Sequence, residues 1–372
     1  MSALRRALRR LSALLADPRF CRRVAGVAVV ALALGIVSGG AVRLTGSGLG
    51  CSDWPNCTAT SVVAPLQFHA LVEFGNRLVN VVITLGMVLV VLASFMRRPR
   101  RADLVALSSG LIAGVLAEIV LGGETVLHKL APQFVMSHFL LAVVLLVNAL
   151  VLYHRARQPD AGPTGQPGGG PTGQPGGGPT GQPGGGPTGQ PGGGPTGQPG
   201  GTGPGGRAWP LPARCLVRRG HLWASRGMLA LTFVVVVLGT VVTSTGPHAG
   251  APGVPRFGFS LHTVAQLHGT SVEVLLALTV ATLWSMHRAR VAPAVLRRGE
   301  VLLVVLVAQA AVGYSQYLSG DPVLLVGVHL AGATSVVIAM VFFNLGLYTR
   351  DPAPAAQVPP GDRRTARELA RT

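Results

Sequence analysis

The chain has 372 residues, 49% of them hydrophobic and only 12% charged, with a mean hydropathy of +0.49. A soluble domain carries roughly a quarter charged residues, so a single core with a watery surface is excluded. The formal charge of +18 raises nucleic acid as a partner, but the arginines stand in clusters between apolar runs and no nucleic-acid-reading motif accompanies them, which excludes that class too.

In chain order, residues 1–23 are Arg-rich with one acid, Asp17. They read as a cytoplasmic flank that orients the first span, with a mitochondrial transit peptide as the rival. Runs long enough to cross ~30 Å of hydrocarbon at ~1.5 Å per residue predict helices over 24–43, 68–95, 103–126, 134–154, 225–246, 262–286, 299–318 and 323–348. The basic clusters fall on one side of these spans: Arg97, Arg98, Arg100 and Arg101; Arg155 and Arg157; Arg214, Arg218 and Arg219; Arg288, Arg290, Arg297 and Arg298; and Arg350. The other side carries Arg43, Lys129 and Arg256, with Arg77 just inside a span. The positive-inside rule then makes both termini cytoplasmic.

Residues 163–202 repeat Pro-Thr-Gly-Gln-Pro-Gly-Gly-Gly five times, the last copy imperfect. Such a composition cannot bury enough apolar surface to order itself and reads as a flexible linker. The expected organisation is a basic N-terminus (1–23), a four-helix half (24–157), a linker (158–222), a second four-helix half (223–350) and a tail (351–372). The fold class is an all-α integral membrane protein, with eight transmembrane helices as two pseudo-symmetric four-helix bundles. The halves echo each other: Val42-Arg43-Leu44-Thr45-Gly46 against Thr243-Ser244-Thr245-Gly246, Ser137-His138-Phe139 against Val328-His329-Leu330. The expected location is a bacterial cell membrane, with the mitochondrial inner membrane as the alternative.

Ionisable groups inside a membrane helix are costly and mark function by default. His138, His268 and His329 each fall a few residues inside the outer end of a span. Imidazoles facing each other across a bundle can hold a haem iron axially, whereas zinc wants three or four ligands and the sequence offers no such cluster. In the first half Asn76 stands where the second has His268, and His69 lies seven residues before it. His69 is thus either an alternative iron ligand or a surface hydrogen-bonding group. Glu73 shares the face of His69 and Asn76. It either pairs with Arg77 at i+4 or serves as a proton acceptor or nucleophile beside a substrate. Glu118, a second membrane carboxyl, reads as a hydrogen-bonded packing residue. Cys51 and Cys57 share one outer loop and form either a disulfide or a redox-active dithiol, while Cys21 and Cys215 are expected free.

The stretch Gly40 to Cys57, with Arg43-Leu44-Thr45-Gly46-Ser47-Gly48-Leu49-Gly50-Cys51 at its centre, closely resembles the first outer loop of haem A synthases. Glu73-Phe74-Gly75-Asn76-Arg77, Leu121-Gly122-Gly123 with His138, Gln266-Leu267-His268-Gly269, and His329 resemble that family's later motifs. The resemblance implies oxidation of the C8 methyl of haem O to a formyl group, giving haem A for cytochrome c oxidase. It implies a haem b cofactor on His268 and His329, substrate haem O near Glu73 and His138, a catalytic Glu73, and a Cys51–Cys57 disulfide. Many family members carry a histidine at the position of Asn76, so the second axial group of the substrate site falls to Asn76 or His69. Arg43, Arg77 and Lys129 are candidate partners for haem propionates. Membrane lipid, haem O synthase, oxidase assembly factors and a second copy of the chain are the expected partners. The rival reading is a dihaem b-type electron-transfer protein that modifies no haem.

Overall fold

A computed structural model describes residues 2–160, 207–208 and 213–350; the Gly/Pro repeat and the tail from 351 lie outside them. Eight of its helices are long and apolar enough to cross a membrane: α2 (Pro18–Leu44), α3 (Phe68–Met96), α4 (Ala102–Leu127), α5 (Pro132–Ala156), α6 (Arg219–Thr245), α7 (Leu261–Arg288), α8 (Pro293–Leu318) and α9 (Val323–Leu345). The chain is therefore a multi-pass membrane protein. Each predicted span is present, and most begin a few residues earlier than hydropathy alone places them, two of these behind a capping side chain, Asp17 and Ser260. The Asp17 carboxylate accepts from Arg19 N–H at 2.8 Å and Pro18 opens α2, satisfying groups that the helix itself leaves free.

Before these spans lies a helix that the sequence reading did not place, α1 (Ser2–Ala16). Leu4, Leu8, Leu11 and Leu15 recur at helical spacing between arginine pairs. Leu15 is buried against α2 and its neighbours, and Arg98 N–H donates to the Ala16 carbonyl at 3.0 Å. Two short strand pairs complete the architecture: β1 (Arg100–Arg101) parallel to β2 (Arg207–Ala208), and β3 (Arg214–Cys215) antiparallel to β4 (Tyr348–Thr349).

Within the chain α2 packs on α3 and α5, α3 on α4, and α4 along α5; α6 packs on α7 and α9, α7 on α8, and α8 along α9. One buried cluster joins α2–α5 and takes in Val337 and Val341 of α9, and a second joins α6–α9 through Met228, Leu275, Leu302 and Phe343. The two hairpins α4–α5 and α8–α9 share one register: Ala102, Leu127 and Pro132 bound the first, Pro293, Leu318 and Val323 the second, each 191 positions on. Several threonine hydroxyls within the spans are satisfied on their own helix. Thr84, Thr125, Thr232, Thr243 and Thr334 each donate to the carbonyl four residues back, as a medium without water requires. Outward-facing Val27, Val30, Leu34, Val82 and Leu85 are exposed and suit a lipid surround.

The outer loops of the two halves interlock. Gly48 N–H donates to Gly250 O at 2.9 Å, and the Leu130 side chain sits against both glycines, so closely that a Cβ on Gly48 would lie 2.8 Å from it. At the Arg-rich end, two members of the clusters read as topology signals are buried structural groups. Arg97 pairs with Asp160 at 2.9 Å and Arg101 with Asp103 at 2.8 Å, the Arg101 side chain being 0% exposed. Removing one partner of a buried pair leaves an uncompensated charge. Arg101→Ala should cost about 3–5 kcal/mol and lower the melting temperature in detergent, whereas Arg98→Ala at an exposed position should leave it within about 0.5 kcal/mol of wild type.

Candidate functional site

Three imidazoles are seated alike. His138 of α5 lies against Gly122 of α4, His268 of α7 against Gly239 of α6, and His329 of α9 against Gly313 of α8. A Cβ added at these glycines would come within 3.3, 3.2 and 2.9 Å of the respective His Cε1. Each ring thus packs closely against a neighbouring backbone with Cε1 nearest, and even a methyl group would press on it.

The Nδ1 edges differ in partner. His268 Nδ1 lies 3.1 Å from the Val235 carbonyl. A carbonyl only accepts, so Nδ1 carries the proton and the neutral ring leaves its Nε2 lone pair for a ligand. Gln309 Nε2 donates to the His329 carbonyl at 2.8 Å and lies 3.0 Å from His329 Nδ1. Glu118 Oε1 lies 3.4 Å from His138 Nδ1. The sequence reading took Glu118 as a packing residue and did not single out Gln309. The signal was present, because Gln309, Gly313 and His329 each lie 191 positions beyond Glu118, Gly122 and His138.

The rings of His268 and His329 have centroids 6.3 Å apart at an interplanar angle of 72°. Two imidazoles each bonded at about 2.0 Å to one metal place their centroids roughly 6 Å apart. Among the described residues no group of three or more His, Cys, Asp or Glu side chains comes together to hold a metal ion. A pair of imidazoles alone suits an iron that brings its own four equatorial nitrogens, and the donor set therefore fits a haem.

Over the first half lies the loop between α2 and α3, closed by a Cys51–Cys57 disulfide. Glu73, near the start of α3, is buried and holds this loop: Oε2 accepts from Cys51 N–H at 2.7 Å and Oε1 from Arg77 Nη2 at 2.7 Å. Arg77 also donates to the carbonyls of Asp53 and Asn56, each at 3.0 Å. Gly50 allows the approach, since a Cβ there would lie 2.1 Å from the His69 carbonyl oxygen. Trp54 packs over Gly123 of α4. Glu73 and Arg77 therefore form the pair that was one of two readings.

The remaining candidates are spread. His69 is exposed and its Nδ1 lies 2.9 Å from Ser47 Oγ, at the loop. Asn76 Oδ1 accepts from Ser38 Oγ at 2.8 Å, so the polar group of α3 is met by a hydroxyl of α2. Arg43 donates to the carbonyls of His248 (2.7 Å) and Thr243 (2.8 Å), joining the end of α2 to that of α6. Lys129 is exposed in the α4–α5 turn at φ 53°. Cys21 is buried and Cys215 exposed, both as free thiols.

Charge-assisted hydrogen bonds contribute about 1.5–3 kcal/mol each. Arg77→Ala should therefore loosen the loop, read as faster amide exchange over residues 51–61 while the interior of α3 keeps its protection.

Residues 22–171 match the family of cytochrome oxidase assembly proteins, COX15-CtaA. The matched stretch holds α2–α5, the disulfide loop, Glu73 and His138, and ends before His268 and His329. Among curated proteins, the chain is 27% identical over 139 residues to a heme A synthase of Lysinibacillus sphaericus, covering 36% of this chain and 45% of that one. It is 23% identical over 128 residues to a heme A synthase of an Exiguobacterium species, covering 34% and 42%. These alignments span less than half the length of either relative. In its first half, then, this membrane protein carries the sequence pattern of the COX15-CtaA cytochrome oxidase assembly family and is similar to bacterial heme A synthases.

Proposed function

We propose that the chain is a haem A synthase, oxidising the C8 methyl of haem O to a formyl group in its first half, with a haem b on His268 and His329 in its second. The observation that carries this reading is the repetition of one Gly–His seat, Gly122–His138 and Gly313–His329, within a chain whose first half matches the family. The haem b, when bound, would supply a one-electron relay.

In this reading His138 holds the substrate iron through Nε2, and the disulfide loop, pinned by Glu73 and Arg77, screens the outer end of the site from water. Glu73 has both oxygens engaged, yet each carboxylate oxygen keeps a second lone pair. It can therefore take up a proton released as the methyl is oxidised without letting go of the loop. Conversion of the methyl to a formyl group takes its oxygen from water and releases four electrons and four protons in two two-electron oxidations; the electrons would leave by way of the second haem to an external acceptor, and a base near the methyl is what the chemistry asks of the protein. Asn76, held by Ser38, is a weaker iron donor than imidazole. A weaker donor there would suit a haem that must leave as product. Arg43 and Arg77 have donors committed to loop carbonyls, which leaves exposed Lys129 as the freest of the three candidate propionate partners. The two four-helix halves, packed against each other through α9, each hold one haem, with the Arg-rich ends of the spans and both termini on the cytoplasmic side of a bacterial cell membrane.

Co-expression with a haem O producer tests the reaction. Wild type should yield haem A on extraction and mass analysis, and Glu73→Gln should lower the yield at least about 100-fold with the loop amides still protected. Extracts holding only haem b and haem O from the wild type would favour the dihaem electron-transfer reading. Gly313→Val should push His329 from its seat and halve the haem content of the purified protein, while Gly86→Val, at a position with nothing within 4 Å of the added Cβ, should leave it unchanged.

A further inference from the structure

We infer that Glu118 is a positioning residue for His138: its carboxylate accepts a hydrogen bond from Nδ1–H of the imidazole and makes His138 a stronger electron donor to the substrate iron than His329 is to its own. The inference rests on the proposal that His138 holds that iron. It goes beyond that proposal by giving the two halves unequal ligands.

The two hairpins coincide residue for residue, which makes the comparison a controlled one. Residues 118 and 309 sit four positions before the glycines that seat the imidazoles, and both present a side chain to Nδ1. In the second half the group is an amide whose nitrogen donates to the His329 carbonyl and faces Nδ1 at 3.0 Å. In the first it is a carboxyl group whose Oε1 faces Nδ1 at 3.4 Å. His138 Nδ1 and Glu118 Oε2 are both buried and neither makes a hydrogen bond, so each lacks what the other offers. A carboxylate is acceptor-only, which fixes the proton on Nδ1 and frees Nε2; a small turn of the ring completes the bond. The His138 side chain as a whole is 37% exposed, but its Nδ1 edge and Glu118 Oε2 are shielded, and a hydrogen bond made away from water is strengthened. Outer partners of this kind orient a ligating histidine and raise its basicity, and removing them changes metal affinity about 10–100-fold. A more basic axial imidazole favours ferric over ferrous iron. The substrate haem would then be held as the more oxidised centre and the second haem as the better electron acceptor, which is the direction electrons must run if they leave the substrate.

The test is a reciprocal exchange in the full-length protein, purified with haem b in both sites and titrated potentiometrically through the Soret band. His138→Ala identifies the wave belonging to the first site by removing it. Glu118→Gln should raise the midpoint of that wave, by an amount near a tenfold change in ferric preference (about 59 mV for one electron), and lower the iron–imidazole stretching frequency of the ferrous form. Gln309→Glu should lower the midpoint of the other wave, and Glu118→Asp should restore much of the wild-type value. A Glu118→Gln protein whose first wave and stretching frequency both stay put would overturn the inference and leave the haem sites standing. Loss of neither wave in His138→Ala would instead remove the ligand assignment beneath it. Poor folding of Glu118→Gln would leave Gln309→Glu to decide, because a purely structural glutamate predicts no fall in the second midpoint.

Discussion

An imidazole within hydrocarbon needs a polar group facing its polar edge and room for its ring, and here the helix beside it supplies both. Glycine at 122, 239 and 313 lets each ring lie on bare backbone. A carbonyl, an amide or a carboxyl group from the same neighbouring helix then meets Nδ1. This fixes more than a side chain: it sets how closely α4 approaches α5, α6 approaches α7 and α8 approaches α9. The remaining architecture follows from those three contacts. Apolar residues fill the space between hairpins, and threonine hydroxyls such as those of Thr84, Thr125 and Thr232 turn back on their own helix carbonyls.

Glu73 shows how one group can serve structure and chemistry together. A lone carboxylate at that depth would be expensive. Its charge is answered by Arg77 and by a backbone N–H from the loop above, so the helix end and the disulfide loop become one unit. The same arrangement would keep a proton acceptor facing the space below the loop. Arg43 does comparable work between the halves, capping the last carbonyls of α6 from the end of α2, where a cation is favoured by the helix dipole.

Much of this was legible beforehand. Spans over 24–43 and 68–95 were evident because lipid-facing helices are apolar on most sides, and the histidines stood out because charge-capable groups in such runs are rare. The loop pattern from Gly40 to Cys57 pointed to a resemblance through its crowding of glycines and cysteines, and glycine at position 50 permits the tight approach to the His69 carbonyl. Helix α1 was missed because arginine pairs mask its leucine stripe, and the eye reads Arg5-Arg6 and Arg9-Arg10 as topology rather than as one face of a helix. The burial of Arg97 and Arg101 was hidden for a related reason: Asp160, which pairs with Arg97, is 63 residues away and brought in by chain reversal, while Asp103 lies only two residues from Arg101 and reads as a local charge in a basic cluster. The Glu118–His138 pair required knowing that α4 and α5 align side by side, which spacing alone does not fix.

The turn between α4 and α5 has a further implication. Residues 128–131 and 319–322 each bridge their helices with four residues, using left-handed backbone at Lys129 and Leu130 in one case and at Gly320 and Asp321 in the other. Each added or deleted residue would advance α5 by about 100° about its axis, swinging the histidine out of register with its glycine and toward lipid. Connections in membrane proteins usually tolerate length changes well. These two hairpin tips should be an exception, with composition free to drift and length held constant.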